Sequence, residues 1–418
     1  MTPSAARPAH WRWLLLASLV AATLFFHRGV ARALDRGLRD FAGPFAGTRV
    51  FWTGGNPYDA AVLLPVLERA GASDKAPPPA VYPAATFVAL APFAVLPAHG
   101  AKLLFLGAGL LLLGIGVRGW ARELQLSATQ TGLLCALILA GSHLHTALFV
   151  ANPGLVAVGA LLAGTWCYQR QHNKTAFALL LWSLLLKPQL GIVGLLWLLV
   201  QKRLRPALAL TLVSGAIAAA SIGYLHWREP AALAQWQANA KAEHSSGSIS
   251  ATGSLGVHRV DPAGLWAAFT GRDLASPVQA ATAAGYALLA LFVARRAAAS
   301  MQPGASLAIL GVAALLASYH RAYDAVLLIP AWLVLAAPGV NPALRIVSAL
   351  VCALWILPGG GFWTTLAGSY RFIPEWLVGS AFNQLVLARL QAWALLATAV
   401  ILLLGLLRRA QAKSVSPA

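Results

Sequence analysis

The sequence predicts an all-α polytopic membrane protein that forms one integral membrane domain over residues 1–418. Of its 418 residues, 59% are hydrophobic and only 10% are charged. The mean hydropathy is +0.70, and apolar runs of about 20 residues, the length that crosses a bilayer core, recur along the chain. A soluble domain of this size would not carry so apolar a composition.

The charge balance indicates a membrane surface as the partner of the basic residues. The chain has 31 Lys and Arg residues against 12 Asp and Glu residues, and its net charge is +19. Such an excess can indicate nucleic acid. Here the basic residues form short clusters between apolar runs, which orientation signals and contacts with lipid headgroups explain better. We therefore expect membrane lipids, and no nucleic acid, as partners.

The sequence carries no pattern for a cofactor or a metal. Cys135, Cys167 and Cys352 lie in apolar stretches without paired ligand spacing, so neither a disulfide framework nor a zinc site is predicted. The chain also contains no Walker loop, dinucleotide fingerprint, HExxH motif or nucleophile elbow. We expect neither a cofactor nor a metal.

The apolar runs give about twelve candidate spans. The first, at 13–30, follows Arg7, His10 and Arg12 and reaches membrane length, which is typical of a signal anchor with its N-terminus inside. The second, at 81–97, contains three prolines, so we expect it to be bent or partly re-entrant. The others lie at 103–120, 131–149, 152–168, 176–200, 206–225, 278–296, 305–319, 323–337, 343–358 and 385–407.

The basic clusters predict the orientation of the chain. With the N-terminus inside and twelve crossings, the clusters at 202–205, 295–296 and 408–413 lie on the cytoplasmic side, as the positive-inside rule requires. Two clusters, at 118–122 and 170–174, disagree because this count puts them outside, so an error of one span in the middle of the chain stays open. Three longer polar segments lie outside on the same count, at 31–80, 226–277 and 359–384.

The first outer segment, 31–80, carries the leading candidate for chemistry. Leu34, Leu38 and Phe41 recur at helical spacing, which predicts a short amphipathic helix on the membrane surface. Asp40 lies within it, between arginines and ahead of several aromatic residues. A carboxylate in such a setting could act as a base beside an anionic lipid-linked substrate. A solvated interfacial loop with an aromatic belt is the alternative.

Three further polar groups are candidates for a site. The second outer segment has a Gly/Ser-rich run at 245–254, which is either a flexible linker or a loop that orders over substrate. The group 318–324 lies between two apolar runs, where it forms either a solvated turn or a functional cluster. Lys187 lies in mid-span, where a charge costs about 3 kcal/mol, so we expect a partner in the bundle, a break at Pro188 or a contact with phosphate.

Five short motifs in a fixed order resemble those of glycosyltransferase family 87. The family includes mannosyltransferases of the GT-C fold that use polyprenyl-phosphate-mannose, and the resemblance runs from about residue 35 to residue 335. The motifs are Asp40-Phe41, Asn56-Pro57-Tyr58-Asp59, Val81-Tyr82-Pro83, Lys187-Pro188-Gln189 and Tyr323-Asp324.

The resemblance implies a GT-C-like bundle of about twelve transmembrane helices in the cell (inner) membrane, with its active site on the extracytoplasmic side. The donor would be a hexose, mannose in the first place, on a polyprenyl phosphate, and the acceptor a glycolipid or glycan. Two departures leave the sugar and acceptor open. The chain has Ala151-Asn152-Pro153-Gly154 where members often have Gly-Gln-x-Asn, and Tyr82-Pro83-Ala84 where they often have Tyr-Pro-Pro.

The resemblance, together with the chemistry that the reaction needs, suggests roles for individual residues. Asp40 matches the acidic residue that acts as general base, which predicts inversion at the anomeric carbon; Asp59 and Asp324 are the alternatives. Cations are needed to absorb charge on the leaving phosphate, and the leading contacts are His320, Arg321, Arg259 and His258, with Arg49 and Lys187 behind them. The remaining substrate-binding candidates are Asn56, Tyr58, Tyr82 and Tyr323.

Two other classes of protein stay open at this point. A lipid or polysaccharide transporter or flippase would explain the spans and the net charge equally well, but it would place ionisable residues along a central path. A non-catalytic membrane scaffold is the third possibility. Convergence of Asp40, His320 and Arg321 on one outward cavity would favour the enzyme.

Overall fold

The computed structural model describes residues 11–35, 37–71, 80–243, 259–272, 276–300, 304–318, 320–357, 375–378 and 380–415. All regular elements within these ranges are helices, joined by one isolated antiparallel bridge between Arg259 and Arg321. The all-α prediction is therefore confirmed for the described residues. His258 lies outside them.

Short helices alternate with long ones in the N-terminal half. The elements are α1 (Trp11–Leu24), a π-helical segment (Phe25–Val30), α2 (Ala31–Ala33), a 3-10 turn (Arg39–Phe41), α3 (Ala42–Trp52), α4 (Ala60–Arg69), α5 (Ala84–Ala89), α6 (Ala91–Ala94), α7 (Ala98–Glu123), α8 (Ala128–Ala140), α9 (Ser142–Val150), α10 (Gly154–Gln169), α11 (Asn173–Leu186) and α12 (Pro188–Val200).

The C-terminal half continues with the same mixture. Its elements are α13 (Leu204–Arg228), α14 (Ala232–Glu243), α15 (Pro262–Thr270), α16 (Ser276–Ser300), α17 (Ala305–Ala317), a 3-10 segment (Ala322–Leu328), α18 (Ile329–Ala336), α19 (Pro342–Leu354), α20 (Glu375–Val378), a π-helical turn (Asn383–Leu387) and α21 (Leu390–Val415).

Fewer helices are long enough to cross a membrane than the sequence suggested. Within the described residues, five helices have the length and apolar composition of a span, and there are six if α8 and α9, which meet at 50°, count as one. The protein thus has the apolar helices of a membrane protein, but a bundle of about twelve spans is not confirmed. The five are Arg12–Ala33, Ala98–Glu123, Leu204–Arg228, Pro277–Ala298 and Leu390–Leu407.

Two predicted spans are broken where proline interrupts the helix. The 81–97 run forms only the short helices α5 and α6. The 176–200 run divides at Lys187, which is non-helical with φ −150°, into α11 and α12. These two helices pack side by side as a hairpin, since a Cβ added to Gly191 would lie 2.3 Å from the Cα of Leu184. Residues 176–200 therefore run through the bundle twice.

Helix α10 is the centre of the bundle. Every residue from Gly154 to Thr165 is buried. Its closest neighbour is α7, and glycines allow the approach: a Cβ added to Gly116 would lie 2.6 Å from the Cβ of Leu162. Small residues that let two backbones meet are the usual basis of packing between membrane helices.

Contacts along this pair show that several basic clusters lie at one end of the bundle. Gly109 approaches Val156 and Gly119 approaches Trp166, so α7 and α10 run in the same direction. At their C-terminal ends, Glu123, the last residue of α7, forms an ion pair at 2.7 Å with Arg170, which directly follows α10. The start of α13 is at this end too, because the guanidinium carbon of Arg203 lies 5.7 Å from the ring centroid of Tyr168.

We call this the basic end; it carries Arg118, Arg122, Arg170, Lys174, Lys202, Arg203 and Arg205. The clusters at 118–122 and 170–174, which the span count placed opposite 202–205, therefore share its side. The count erred twice in compensating ways. It assigned one crossing to 81–97, which begins and ends near the opposite end, and one crossing to 176–200, which makes a hairpin.

The start of the first outer segment also differs from the expected surface helix. Helix α2 ends at Ala33, and α3 begins only at Ala42. Leu38 and Phe41 are fully buried. The buried ammonium group of Lys102 donates hydrogen bonds to the carbonyl oxygens of Asp35 and Gly37, and this contact holds the segment inside the fold.

Candidate active site

Asp40 lies in the 3-10 turn between α2 and α3, and contacts on both sides hold this turn in place. Its neighbour Arg39 has a φ of 51°, in the left-handed region, which costs a non-glycine residue about 1–3 kcal/mol and persists only where the surrounding structure holds it. On the other side, the ring of Phe41 stacks on that of Phe105 at 5.0 Å. Together with the Lys102 anchor, this packing fixes the position of the Asp40 backbone.

Asn152 joins Asp40 to the centre of the bundle. It lies between α9 and α10, after Ala151 in the left-handed conformation (φ 52°). Its amide nitrogen donates to the Asp40 carboxylate at 3.0 Å and faces the Tyr82 hydroxyl at 3.4 Å. Its oxygen accepts from the Lys187 ammonium at 3.0 Å and from the backbone N–H of Gly154 at 2.9 Å.

The orientation of this amide follows from its partners. An ammonium group and a backbone N–H can only donate. Both point at one end of the Asn152 side chain, so that end must be the oxygen, and the amide nitrogen must face Asp40. The hydrogen bond to the carboxylate is therefore imposed by the buried lysine.

A cluster of buried charged side chains lies on the other side of Asn152 from Asp40. Lys187 contacts one oxygen of Asp324 at 2.5 Å, and the other oxygen of Asp324 lies 3.1 Å from Nδ1 of His320. The second ring nitrogen of His320 lies 3.0 Å from the Ser318 hydroxyl. Because Asp324 is enclosed by two cationic or donor groups, it is less suited to accept a proton than Asp40. Asp324 is therefore the buried partner that the mid-span position of Lys187 requires.

One side of the cluster is partly exposed, and it is formed by Asp40, Tyr82 and Arg321. These three are partly exposed, whereas Asn152, Lys187, His320 and Asp324 are buried. The carboxylate of Asp40 forms no ion pair within the described ranges. Burial raises its pKa above the ordinary 3.8, against the opposing effects of the Asn152 hydrogen bond and the positive charges of Arg321 and Lys187. A carboxylate of this kind can take up a proton from a bound hydroxyl group.

The second outer segment reaches the site through its backbone. Arg259 pairs with Arg321 in the isolated bridge, and the N–H of Val260 donates to the His320 carbonyl oxygen at 3.0 Å. The Arg259 guanidinium forms two hydrogen bonds with Asp261, at 2.9 and 2.8 Å. Arg321 in turn donates to Glu243 at 2.9 Å. The backbone of Arg259 is thus held beside that of Arg321, and the positive charge of Arg321 acts on Asp40.

Two predicted site residues lie apart from the cluster and have structural partners. The guanidinium of Arg49 donates to the carbonyl oxygens of Ala94 and Leu96, at 2.7 Å each. The carboxylate of Asp59 accepts the N–H of Ala61 at 2.9 Å and caps α4.

Asn56 and Tyr58 help to hold Tyr82 in position. The Tyr58 hydroxyl donates to the carbonyl oxygen of Tyr82 at 3.1 Å. Asn56 accepts the N–H of Tyr58 at 3.0 Å and donates to Gln235 on α14 at 3.1 Å. The motif that contains them therefore positions Tyr82 and does not line the opening.

Sequence reasoning did not select Asn152 as a site residue. The only signal was its place in Ala151-Asn152-Pro153-Gly154, where the chain departs from the pattern of the family it resembles. Glu243 and Asp261 were also not selected, because nothing in their local sequence distinguishes them from solvated loop residues. Ser318 was named only as part of the polar group 318–324. Within the described residues, no group of three or more His, Cys, Asp or Glu side chains could hold a metal ion.

The fold and site define a helical membrane protein with a polar site at one end of its bundle. The sequence profile of glycosyltransferase family 87 matches residues 80–319, more than half of the 418 residues. The chain therefore belongs to glycosyltransferase family 87, as its motifs predicted, and is a glycosyltransferase. No curated protein and no solved structure matches the chain.

Proposed function

We propose that the protein transfers a hexose, mannose in the first place, from a polyprenyl phosphate to a lipid- or glycan-linked acceptor on the extracytoplasmic face of the cell (inner) membrane. Family membership supports glycosyl transfer. The observation that supports the donor and the mechanism most is that Asp40 and Arg321 are both partly exposed and close enough for the charge of Arg321 to act on Asp40, which gives a base beside a phosphate-binding cation. The basic end lies opposite, and the positive-inside rule puts that end in the cytoplasm.

In the proposed reaction, Asp40 is the general base. Its carboxylate takes the proton of the acceptor hydroxyl while the hydroxyl oxygen forms a bond to the anomeric carbon. The bond between that carbon and the phosphate oxygen breaks, and its electron pair stays on the polyprenyl phosphate. Because attacking and leaving oxygens lie on opposite faces of the sugar, the configuration inverts. The anomeric carbon is already activated by phosphate, so no metal-dependent step is needed.

Cations beside Asp40 stabilise the charge that develops on the phosphate. Arg321 is the proposed direct contact, since it is partly exposed at the opening, and guanidinium binds phosphate oxygens in a bidentate manner. Arg259 and His320 lie behind it. Asn152 holds the carboxylate of Asp40, and Lys187 with Asp324 holds Asn152. In this scheme Tyr82 and Tyr323 border the sugar.

The proposal includes a GT-C-like bundle as the frame of the site. Within the described residues, we count twelve helical segments between the site end and the basic end, which supports the expected number, although several are shorter than a full span. They are α1 with its π-helical extension, α7, α8 with α9, α10, α11, α12, α13, α16, α17, the Ala322–Leu328 segment with α18, α19 and α21. We propose that the outer segments 31–80, 226–277 and 359–384 lie on the extracytoplasmic side.

Transfer from defined donors tests the proposal. Purified protein in lipid is incubated with polyprenyl phosphates that carry radiolabelled mannose, glucose or galactose, and with a crude glycolipid extract as acceptor. We expect label in a new lipid or glycan from one of these donors, and an inverted anomeric configuration in the product by NMR. Retained configuration would overturn the mechanism. Absence of transfer from every donor, with movement of labelled lipid across the bilayer, would favour the transporter.

A further inference from the structure

A groove of about 540 Å³ lies at the basic end, between α10, α11, α12 and α13. Lys174 and Arg205 lie at its rim, and Phe177 and Leu210 lie in its interior. It is at the opposite end of α10 from Asn152, so it is separate from the candidate active site.

The rim of the groove is positively charged. Lys174 and Arg205 are both exposed, and neither forms an ion pair within the described part of the chain. Arg203 adds a third positive charge close by, over the ring of Tyr168, which itself lines the groove. Glu123, an acidic residue at this end of the bundle, is already paired with Arg170 at 2.7 Å. The rim therefore attracts an anion.

The interior of the groove is apolar and opens onto a lipid-facing surface. Besides Phe177 and Leu210, it is lined by Leu180, Leu198 and Ala209. The adjoining face of α13 is apolar and exposed as well, with Leu204, Leu208 and Leu212 at 66%, 60% and 61% exposure. A soluble anion would gain no binding energy from this apolar lining. The acyl chain of a phospholipid would, because it buries apolar surface against it.

We propose that this groove binds an anionic phospholipid from the leaflet opposite the candidate active site. The headgroup phosphate lies at Lys174 and Arg205, and an acyl chain lies against Phe177 and Leu210. Basic pockets between membrane helices on the cytoplasmic side bind anionic headgroups in this way. The site does not depend on the proposed transfer reaction.

Native mass spectrometry of the purified full chain tests the site with phosphatidylglycerol and phosphatidylcholine as probes. We expect wild type to retain phosphatidylglycerol in preference, and Lys174→Gln/Arg205→Gln to bind it about tenfold more weakly, since each basic residue near an anionic headgroup strengthens binding several-fold. The matched control is Arg118→Gln/Arg122→Gln, which removes two exposed charges at the same end outside the groove and should retain the preference. The charge-conserving Lys174→Arg/Arg205→Lys should retain it too.

Three results would overturn the proposal. Equal binding of the two lipids by wild type would exclude headgroup recognition. An equal loss in the control pair would show that only the general surface charge matters. Displacement of the bound lipid by an equal concentration of soluble glycerol phosphate would show that the apolar lining has no role.

Discussion

The side-chain amide of Asn152 links the buried ion pair to the proposed base, Asp40. Its oxygen is occupied by the Lys187 ammonium and the Gly154 N–H, so its nitrogen is committed to Asp40. The buried pair of Lys187 and Asp324 thus acts on the proposed base through one side chain. A hydrogen bond to a charged group contributes about 1.5–3 kcal/mol, which is the scale of effect expected here.

Replacing Asn152 by Asp should lower activity about 10- to 100-fold. The change removes the donor to Asp40 and puts a second carboxylate beside it, which disfavours the charged form of the base. Steady-state kcat/KM measures the effect. Asn341→Asp is the matched control, because Asn341 caps α19 at 2.9 Å from the Ala343 N–H and aspartate caps equally well. Unchanged activity in Asn152→Asp would show that this hydrogen bond does not affect the base.

The pH dependence of the reaction should report the burial of Asp40. Burial raises the pKa of this carboxyl above 3.8, and only its ionised form can accept a proton. Activity should therefore be present above the raised pKa and be lost as the pH falls through it. A profile of kcat/KM against pH, which reports groups of the free enzyme, should show an acid limb above that of an ordinary aspartate. A limb at or below 3.8 would contradict the assignment.

At the scale of the elements, the site depends on breaks in apolar helices. Lys187 lies where the 176–200 run turns, and Asn152 lies between α9 and α10. The sequence predicted most of these apolar segments within a few residues. It did not predict the hairpin, because a largely apolar run of 25 residues fits one long span as well as two short ones. Only the packing of α11 on α12 decides between them.

The close approach of α7 and α10 gives an element-scale prediction. In Gly116→Ala the new Cβ would lie 2.6 Å from Leu162 Cβ and 2.9 Å from the Ala163 nitrogen, so we expect a loss of about 1–3 kcal/mol from overpacking. Gly107→Ala in the same helix is the control, since nothing lies within 4 Å of the added Cβ. Thermal unfolding in detergent compares them. Equal unfolding temperatures would show that the two helices are less closely packed than described.

In the molecule as a whole, the basic clusters and the candidate active site lie at opposite ends of the bundle. The basic clusters at 118–122, 170–174 and 202–205 share one end, and Asp40 with Arg321 lies at the other. The charge pattern of the sequence predicted that Asp40 lies on the side opposite 202–205, and in the structure the two lie at opposite ends of the bundle. The side of 118–122 and 170–174 could not be predicted, because it depends on the short helices α5 and α6 returning to the end where they began.

Surface labelling tests this orientation directly. Cysteines placed at His172, Lys202 and Glu68, all exposed positions, should react with a membrane-impermeant thiol reagent from opposite sides. We expect 172 and 202 to be labelled from the cytoplasm and 68 from outside in intact cells. Labelling of 172 and 202 from different sides would contradict the shared basic end.

The family and several site residues were also predictable at this scale. The motifs contain Asp40, Tyr82, Lys187 and Asp324, and the polar group 318–324 supplied His320 and Arg321 as candidates. The structure gathers these residues at one end. Arg49 was not separable from them in the sequence. An arginine that binds the carbonyl groups of Ala94 and Leu96 looks the same as one that binds phosphate until the fold brings those carbonyl groups to it.

Comparison of Asp40→Asn with Asp59→Asn tests the central claim most directly. Both changes remove one carboxylate, but Asp59 caps α4 away from the site and asparagine caps as well as aspartate. We expect Asp40→Asn to lose about 10²- to 10⁴-fold in hexose transfer, the usual contribution of a general base, with donor binding unchanged, and Asp59→Asn to transfer at nearly the wild-type rate. Near-wild-type transfer by Asp40→Asn would show that another group is the base.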